Sequence, residues 1–233
     1  MSNPDIPKIV NPNASHMACL FLLDTSGSMQ EDGKINQLNT GFNKFIQDVS
    51  KNEDTKRILD LAIIEFNSTS SVIQEFAPIS YVQSIALSAD GGTNMVPAIE
   101  KAIEMVRDRS RFYRDNTGTE PYKPWIFLIT DGEPTDERNE FIKVADKVNN
   151  LVNQGRFKMF AIGVDGYNPA PLHSLCGERV ISLNGHDFTD TFDWINKSIR
   201  TVSQAAPAAN IGVSNLPTTG TMSVDPSKDT TGW

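Results

Sequence analysis

Three short segments of this sequence combine carboxyl and hydroxyl side chains. They are Asp24-Thr25-Ser26-Gly27-Ser28, Gly91-Gly92-Thr93 and Thr130-Asp131-Gly132-Glu133. Oxygen ligands suit a hard cation, and Mg²⁺ takes six of them in near-octahedral geometry at about 2.0–2.1 Å. Because the set contains no His or Cys, it argues against zinc or copper. The candidate metal ligands are Asp24, Ser26, Ser28, Thr93 and Asp131.

The two aspartates each follow a continuous apolar run, residues 18–23 before Asp24 and residues 125–130 before Asp131. Continuous hydrophobicity indicates strands that are buried on both faces of a parallel sheet. In a doubly wound sheet, ligands bind beyond the carboxyl ends of the strands, where the strand order reverses. If the order is 3-2-1-4-5-6, the strands that carry Asp24 and Asp131 are neighbours, and both carboxylates face one point.

The remaining hydrophobic pattern alternates between strands and helices. It predicts helices over 35–49, 95–106, 136–152 and 188–202, and further strands over 59–66, 72–76, 157–164 and 180–183. The short connection between 59–66 and 72–76 predicts an antiparallel hairpin, because a parallel crossover needs about a dozen residues. We therefore predict an α/β fold: a doubly wound, mostly parallel six-stranded sheet with one antiparallel edge strand and helices on both faces.

The length of 233 residues suits one domain. We predict a polar N-terminal extension over 1–16, the α/β domain over 17–204, and an extended or flexible tail over 205–233, where Pro, Ala, Thr, Ser and Gly dominate. Residues 110–124 are predicted to form a long surface loop. Asp136 is a candidate N-cap of the helix that follows it, and Gly155 suits the end of that helix.

Composition restricts the function. A formal net charge of −8 disfavours nucleic acid as a partner, and Arg107, Arg109, Arg111 and Arg114 are interpreted as a solvated helix end. The two cysteines, Cys19 and Cys176, are predicted to be reduced thiols. No apolar stretch approaches the roughly 18–20 residues that span a bilayer, and no signal peptide is evident. We expect a cytoplasmic protein without a membrane segment. The three histidines, His16, His173 and His186, are interpreted as surface or loop residues and not as ligands.

Together the three segments resemble the complete metal-ion-dependent adhesion site (MIDAS) of von Willebrand factor A (vWA) domains. The resemblance rests on Asp24-x-Ser26-x-Ser28, on Thr93 after two glycines and on Asp131 in Ile-Thr-Asp-Gly-Glu, and it covers roughly residues 18–202. Within the family, the chain is most similar to bacterial stand-alone intracellular vWA proteins of the tellurium-resistance type. Residues 127–136 and a Leu216-Pro217 tail carry this finer similarity.

The resemblance implies a site for Mg²⁺, or for Mn²⁺ or Ca²⁺, with Ser26 and Ser28 as direct ligands. Asp24 would act through water or by hydrogen bonding to the serines, and Thr93 and Asp131 would exchange direct and water-mediated roles. An Asp or Glu of a protein partner would complete the coordination. This implies a metal-dependent interaction module, an adaptor in a stress-response or tellurium-resistance system.

Other functions remain open at this stage. A Mg-dependent phosphohydrolase of the haloacid dehalogenase type also begins with an aspartate at a strand end. It needs a second acid two residues later, and Ser26 stands there. We find no G-x-G-x-x-G motif, no P-loop and no credible catalytic base or nucleophile, so we predict that the protein is not an enzyme. A small-anion or nucleotide-binding domain is a further alternative. In the plainest interpretation, these aspartates only cap helices.

Overall fold

The computed structural model describes residues 9–183 and 188–204. It contains one six-stranded sheet and six α-helices within these residues. The strands are β1 (Met17–Asp24), β2 (Leu59–Phe66), β3 (Ser70–Pro78), β4 (Trp125–Thr130), β5 (Lys158–Gly163) and β6 (Val180–Ser182). The helices are α1 (Lys34–Ser50), α2 (Glu53–Lys56), α3 (Met95–Asn116), α4 (Arg138–Asn153), α5 (Pro169–Cys176) and α6 (Phe188–Ser203).

The strand order is β3-β2-β1-β4-β5-β6. Every neighbouring pair is parallel except β2 and β3, which form an antiparallel hairpin with β3 at the edge. The predicted fold class and strand order are therefore confirmed. Since the order reverses between β1 and β4, the carboxyl ends of these two central strands are the expected place for a ligand.

Apolar side chains cover the sheet on both faces. On one face, alternate residues of β1, such as Cys19 and Phe21, pack with α1 and α6, and the Phe21 and Phe127 rings stack with centroids 5.1 Å apart. On the other face, Leu20 and Leu22 pack with α3, α4 and α5. β1 and β4 are buried along their whole length, which explains their unbroken hydrophobic sequences. Trp125 and Trp194 are also buried.

Helix α3 is longer than the sequence pattern indicated. It continues to Asn116, so the predicted surface loop over 110–124 is wrong in its first half. Its inward face continues through Ser110 and Tyr113, which are both buried. Polar residues hold this end of the helix in place, and a hydrophobic period alone does not detect such residues.

A buried ion pair explains this extension. Arg109 donates to Asp60 Oδ2 with its Nη2 atom at 2.5 Å, and the Tyr113 hydroxyl donates to the same oxygen at 2.6 Å. The Arg109 side chain is only 10% exposed, so the interpretation of the arginines as a solvated helix end is wrong for Arg109. His16 lies in the loop before β1, but it stacks on Tyr113 and is only 1% exposed, so it is a buried loop residue and not a surface one. A buried charge is tolerated here because it is paired.

Helix α5 was not predicted, because only eight residues form it. Asn168 caps it by accepting from the backbone N–H of Ala170, and Pro169 occupies the first turn. Gly155 lies just beyond α4 with φ of 71°, as predicted for a helix end. His173, on α5, is hydrogen bonded to the backbone oxygen of Gly177.

The two cysteines are free thiols buried on opposite faces of the sheet. Burial raises the pKa of both, that of Cys176 to about 12. The thiolate is the reactive form, so neither cysteine is set up as a nucleophile.

Several predictions concern residues outside the described ranges. They include the position of His186, the Leu216-Pro217 similarity and the tail over 205–233. Within the described ranges, no helix combines the length and the apolar character that a membrane crossing requires.

Replacing Arg109 by Met is expected to destabilise the fold by about 3 kcal/mol, because Asp60 would remain as a buried, unpaired charge. The matched control is Arg107→Met on the same helix, whose side chain is 55% exposed and pairs only with its neighbour Asp108. This control should change stability by less than about 0.5 kcal/mol. Urea unfolding of the three proteins measures both values, and equal effects would show that the Asp60 ion pair is not a major stabilising contact.

Candidate metal centre

The loop that follows β1 enters a short 3-10 helix over Gly27–Gly33, so Ser26 and Ser28 lie in a tight turn just beyond the strand. Backbone hydrogen bonds connect this turn to the loop before α3. Asp90 N–H donates to Thr25 O at 2.8 Å, and Gly27 N–H donates to Gly91 O at 2.9 Å. Gly91 has φ of 77°, a conformation that favours glycine. The first and second loops are thus held together by main-chain contacts.

The second and third loops are connected in the same way. Thr135 N–H donates to Thr93 O at 2.9 Å, and Thr93 N–H donates to Thr135 Oγ1 at 3.2 Å. The Asp136 carboxylate accepts from the backbone N–H groups of Met95 and Val96 at 2.7 and 3.0 Å. Asp136 therefore caps α3 and not α4, which begins at Arg138, and the predicted cap is corrected. The cap fixes Thr93 beside the third loop.

The hydroxyl and carboxyl oxygens of the first and third loops converge. Ser26 Oγ lies 3.1 Å from Ser28 Oγ, and Ser28 Oγ donates to Asp131 Oδ1 at 2.7 Å. Ser28 and Asp131 are 103 positions apart in the sequence. In an octahedron of oxygens at 2.0–2.1 Å from Mg²⁺, adjacent ligands are about 2.9 Å apart. The three oxygens therefore have the spacing of neighbouring ligands of such an ion.

Asp24 lies beneath this group of oxygens and is fully buried. Its Oδ1 atom accepts from the backbone N–H of Ser26 at 2.7 Å, and its Oδ2 atom accepts from Thr130 Oγ1 at 2.5 Å. Burial raises the pKa of Asp24 to about 6, although these hydrogen bonds oppose the shift and Asp131 adds a smaller repulsion. Asp24 is thus placed to orient the first serine.

Thr93 reaches the site from above, next to Gly132. A Cβ atom at Gly132 would lie 3.0 Å from Thr93 Oγ1 and 3.7 Å from Asp24 Oδ2. Only a residue without a side chain leaves this space to the threonine hydroxyl. Thr93 is 5% exposed. All five predicted ligands, Asp24, Ser26, Ser28, Thr93 and Asp131, thus lie at the carboxyl ends of β1 and β4 or in the loop that covers them.

Lys34 is a residue of the site that sequence reasoning missed. Its Nζ atom donates to Asp131 Oδ2 at 2.7 Å, and the two side chains are only 8% and 1% exposed. The available signal was its place at the first position of a helix, where a cation is unfavourable because the helix dipole is positive there. Thr130, Thr135 and Asp136 were also missed as supports of the site.

The donor set fits a hard divalent cation. It offers hydroxyl and carboxylate oxygens at close spacing, in a cradle that a side chain at Gly132 would fill. Among the described residues, no group of three or more His, Cys, Asp and Glu could hold a metal ion. The candidate site consists instead of the hydroxyls of Ser26, Ser28 and Thr93 and the carboxylates of Asp24 and Asp131.

The raised pKa of Asp24 predicts how the metal-free protein responds to pH. Because burial raises its pKa from the ordinary value of 3.8 to about 6, the folded protein binds the proton more tightly than the unfolded chain, and Asp24 destabilises the fold above pH 6. Lowering the pH from 8 to 5 in a chelator should stabilise wild type by about 1.4 kcal/mol relative to Asp24→Asn, which does not titrate at this position. Urea unfolding of both proteins at pH 8 and pH 5 measures this difference in unfolding free energy. An equal difference at the two pH values would contradict the raised pKa of Asp24.

Comparison with known proteins identifies the family of this fold. The family model for the von Willebrand factor type A domain matches residues 19–197. No curated protein sequence matches the chain significantly. Among solved structures, a von Willebrand factor type A protein from Catenulispora acidiphila is similar with a TM-score of 0.62 and 15% identity, over 81% of this chain and 43% of that one.

Two further similar solved structures are pilus proteins. The pilus adhesin SpaC from Lactobacillus rhamnosus GG has a TM-score of 0.65 and 13% identity, over 83% of this chain and 32% of that one. The vWF domain of the type V pili tip protein Mfa5 from Porphyromonas gingivalis has a TM-score of 0.62 and 10% identity, over 84% and 99%. This chain spans less than half of the Catenulispora protein and of SpaC. At these identities the structures share the fold alone, whereas the family model spans most of the chain: the protein belongs to the von Willebrand factor type A domain family.

Proposed function

We propose that this domain is a metal-dependent protein-interaction module. Its site would hold Mg²⁺, or Mn²⁺ or Ca²⁺, and an Asp or Glu of a protein partner would complete the coordination. The observation that carries the proposal is the convergence of Ser26, Ser28 and Asp131, whose oxygens have the spacing of neighbouring ligands. A helix cap would not require these three side chains to meet.

The residues divide into ligands and supports. Ser26 and Ser28 would ligate directly, because their hydroxyls lie next to each other and that of Ser28 also contacts Asp131. Asp24 would keep the first serine in position, since its two oxygens already accept from Ser26 N–H and Thr130 Oγ1. Thr93 and Asp131 would contribute the oxygens that alternate between direct and water-mediated contact.

When bound, the metal supplies a Lewis-acidic position that attracts an anionic oxygen ligand. The chain would hold few carboxylates directly against it, so much of the positive charge would remain available to a partner's carboxylate. Among the similar structures, SpaC is a pilus adhesin and Mfa5 is a pilus tip protein. The adhesin role of SpaC supports an interaction role for this domain.

For the biological setting, we propose a cytoplasmic adaptor in a bacterial stress-response system of the tellurium-resistance type. The support is the resemblance of residues 127–136 and the presence of two buried free thiols, which suits a reducing compartment. Nucleic acid is a poor partner for a chain of net charge −8.

The contacts of Asp24 do not favour a phosphohydrolase. A nucleophilic carboxylate must reach the substrate, but Asp24 has no exposed surface and both of its oxygens are engaged within the fold. A phosphatase assay without a partner protein and calorimetry with ATP test the enzyme and nucleotide alternatives directly.

The metal site is tested by titrating Mg²⁺ and Mn²⁺ calorimetrically into chelator-stripped protein. Wild type should bind one ion, and Ser28→Ala should weaken binding at least about tenfold, because it removes an oxygen that contacts both Ser26 and Asp131. The matched control is Ser71→Ala on the exposed side of β3, which should bind as wild type does. Equal binding by Ser28→Ala and wild type would contradict the assignment.

The carboxylate ligand is tested with acetate as a minimal probe. Acetate should bind to the Mn²⁺-loaded protein, and its methyl proton resonance should broaden by paramagnetic relaxation, because its carboxylate would reach the metal. Acetamide, which has a similar shape and no charge, is the control and should broaden far less. Equal broadening by the two molecules, or broadening that persists in Ser28→Ala, would contradict a carboxylate-binding role.

A further inference from the structure

Lys34 holds one of the two carboxylates of the candidate metal centre. Asp131 is bound from both sides: Oδ1 accepts from Ser28 Oγ and Oδ2 accepts from Lys34 Nζ, both at 2.7 Å. The lysine side chain is 8% exposed and the aspartate side chain 1% exposed. This is a buried ion pair between a candidate ligand and a cation that belongs to the chain itself.

The backbone directs Lys34 into this position. Asp32 and Gly33 both have positive φ, 52° and 72°, and they turn the chain between the 3-10 helix and α1. Asp32 is the one described non-glycine residue with such a φ. Lys34 then begins α1, at the end where the helix dipole disfavours a cation. A strained turn and an unfavourable dipole are tolerated together, so the contact with Asp131 must offset both.

The charges of the site have a simple consequence. When Lys34 is counted, the site contains two carboxylates, those of Asp24 and Asp131, and one ammonium. Its net charge is therefore a single negative charge, and a bound divalent ion would change it to a single positive charge. Without Lys34, the same site would be doubly negative when empty and neutral when loaded. A buried charge a few ångströms away acts strongly because water screens it little. Lys34 thus opposes the cation and favours a following anion.

We propose that Lys34 is an internal counter-cation that weakens metal binding and, once the metal is bound, makes the site selective for a monoanionic ligand such as a carboxylate. The inference rests on the proposed metal-binding function and deepens it. The oxygens of Ser26 and Ser28 stay available to the metal, because Lys34 occupies only the far oxygen of Asp131. Lys34 is a positioning and charge-setting residue, and it need not touch the partner.

In this proposal Lys34 weakens the binding of the metal and strengthens the binding of the anion. A purely structural role would change both affinities in the same direction. Replacing Lys34 by Met keeps most of the side-chain length and removes the charge. Mg²⁺ should then bind at least about tenfold more tightly, and acetate should bind at least about tenfold more weakly to the Mn²⁺-loaded protein. Lys34→Arg, which keeps the charge, should restore both affinities toward wild type.

The measurements are calorimetry with Mg²⁺ and paramagnetic broadening of acetate with Mn²⁺, at low ionic strength and about pH 7.5. Lys44→Met is the matched control on α1, because its side chain is 55% exposed and pairs with Asp48 at the surface. It should leave both affinities unchanged. If Lys34→Met does not fold, Lys34→Gln removes the charge while retaining a hydrogen-bond donor to Asp131.

The outcomes distinguish this inference from the proposed function. If wild type binds Mg²⁺ and acetate and the folded neutral variants bind both equally well, the function stands and the role of Lys34 is wrong. If only the neutral variants bind Mg²⁺, Lys34 is confirmed as a competing cation, and the metal-dependent function of the wild-type domain is overturned. If no folded protein binds a divalent ion, both are overturned.

Discussion

The parallel pairing of β1 with β4 is the constraint on which the candidate site depends. Leu23 pairs with Ile129 across the two strands, so Asp24 and Thr130 follow side by side at the same edge of the sheet. Thr130 Oγ1 then donates to Asp24 Oδ2, and Asp131 begins the next loop. Both strands are buried on both faces by helices, which leaves them little freedom to slide. The packed sheet therefore fixes the spacing of oxygens that come from distant parts of the chain.

Two buried ion pairs lie at opposite ends of this sheet and differ in the groups that surround them. At the amino end of β2, the same Asp60 oxygen accepts from Arg109 and Tyr113, and the aromatic rings of Phe112 and Tyr113 lie near the guanidinium. At the carboxyl ends of β1 and β4, Lys34 pairs with an aspartate that also contacts a serine. The first pair joins α3 to the sheet. The second lies beside the hydroxyls of the proposed metal site, so the same kind of contact joins a helix to the sheet at one end and belongs to the candidate site at the other.

Sequence reasoning predicted the fold well where the signal was local. The unbroken apolar runs before Asp24 and Asp131, and the short link between β2 and β3, were enough to predict the parallel core and the antiparallel edge. It was wrong for residues 110–116, which continue helix α3, and for Arg109, whose charged side chain is packed inward, and it did not predict the burial of His16. A hydrophobic period does not detect a helix face that is buried through hydrogen bonds and an ion pair. It also missed α5, since eight residues give too few turns for a clear pattern.

The sequence by itself determined the five candidate ligands, because their types and their positions, at the end of a strand or in the glycine-containing loop before α3, follow from short-range order along the chain. Only the tertiary structure decided how they are supported. That Thr130 holds Asp24, that Asp136 caps α3 and that Lys34 neutralises Asp131 are contacts between segments that lie far apart in sequence. Such contacts depend on the strand register and on the path of the loops. No local pattern encodes them, because the energy of a buried charge depends on which groups surround it in space.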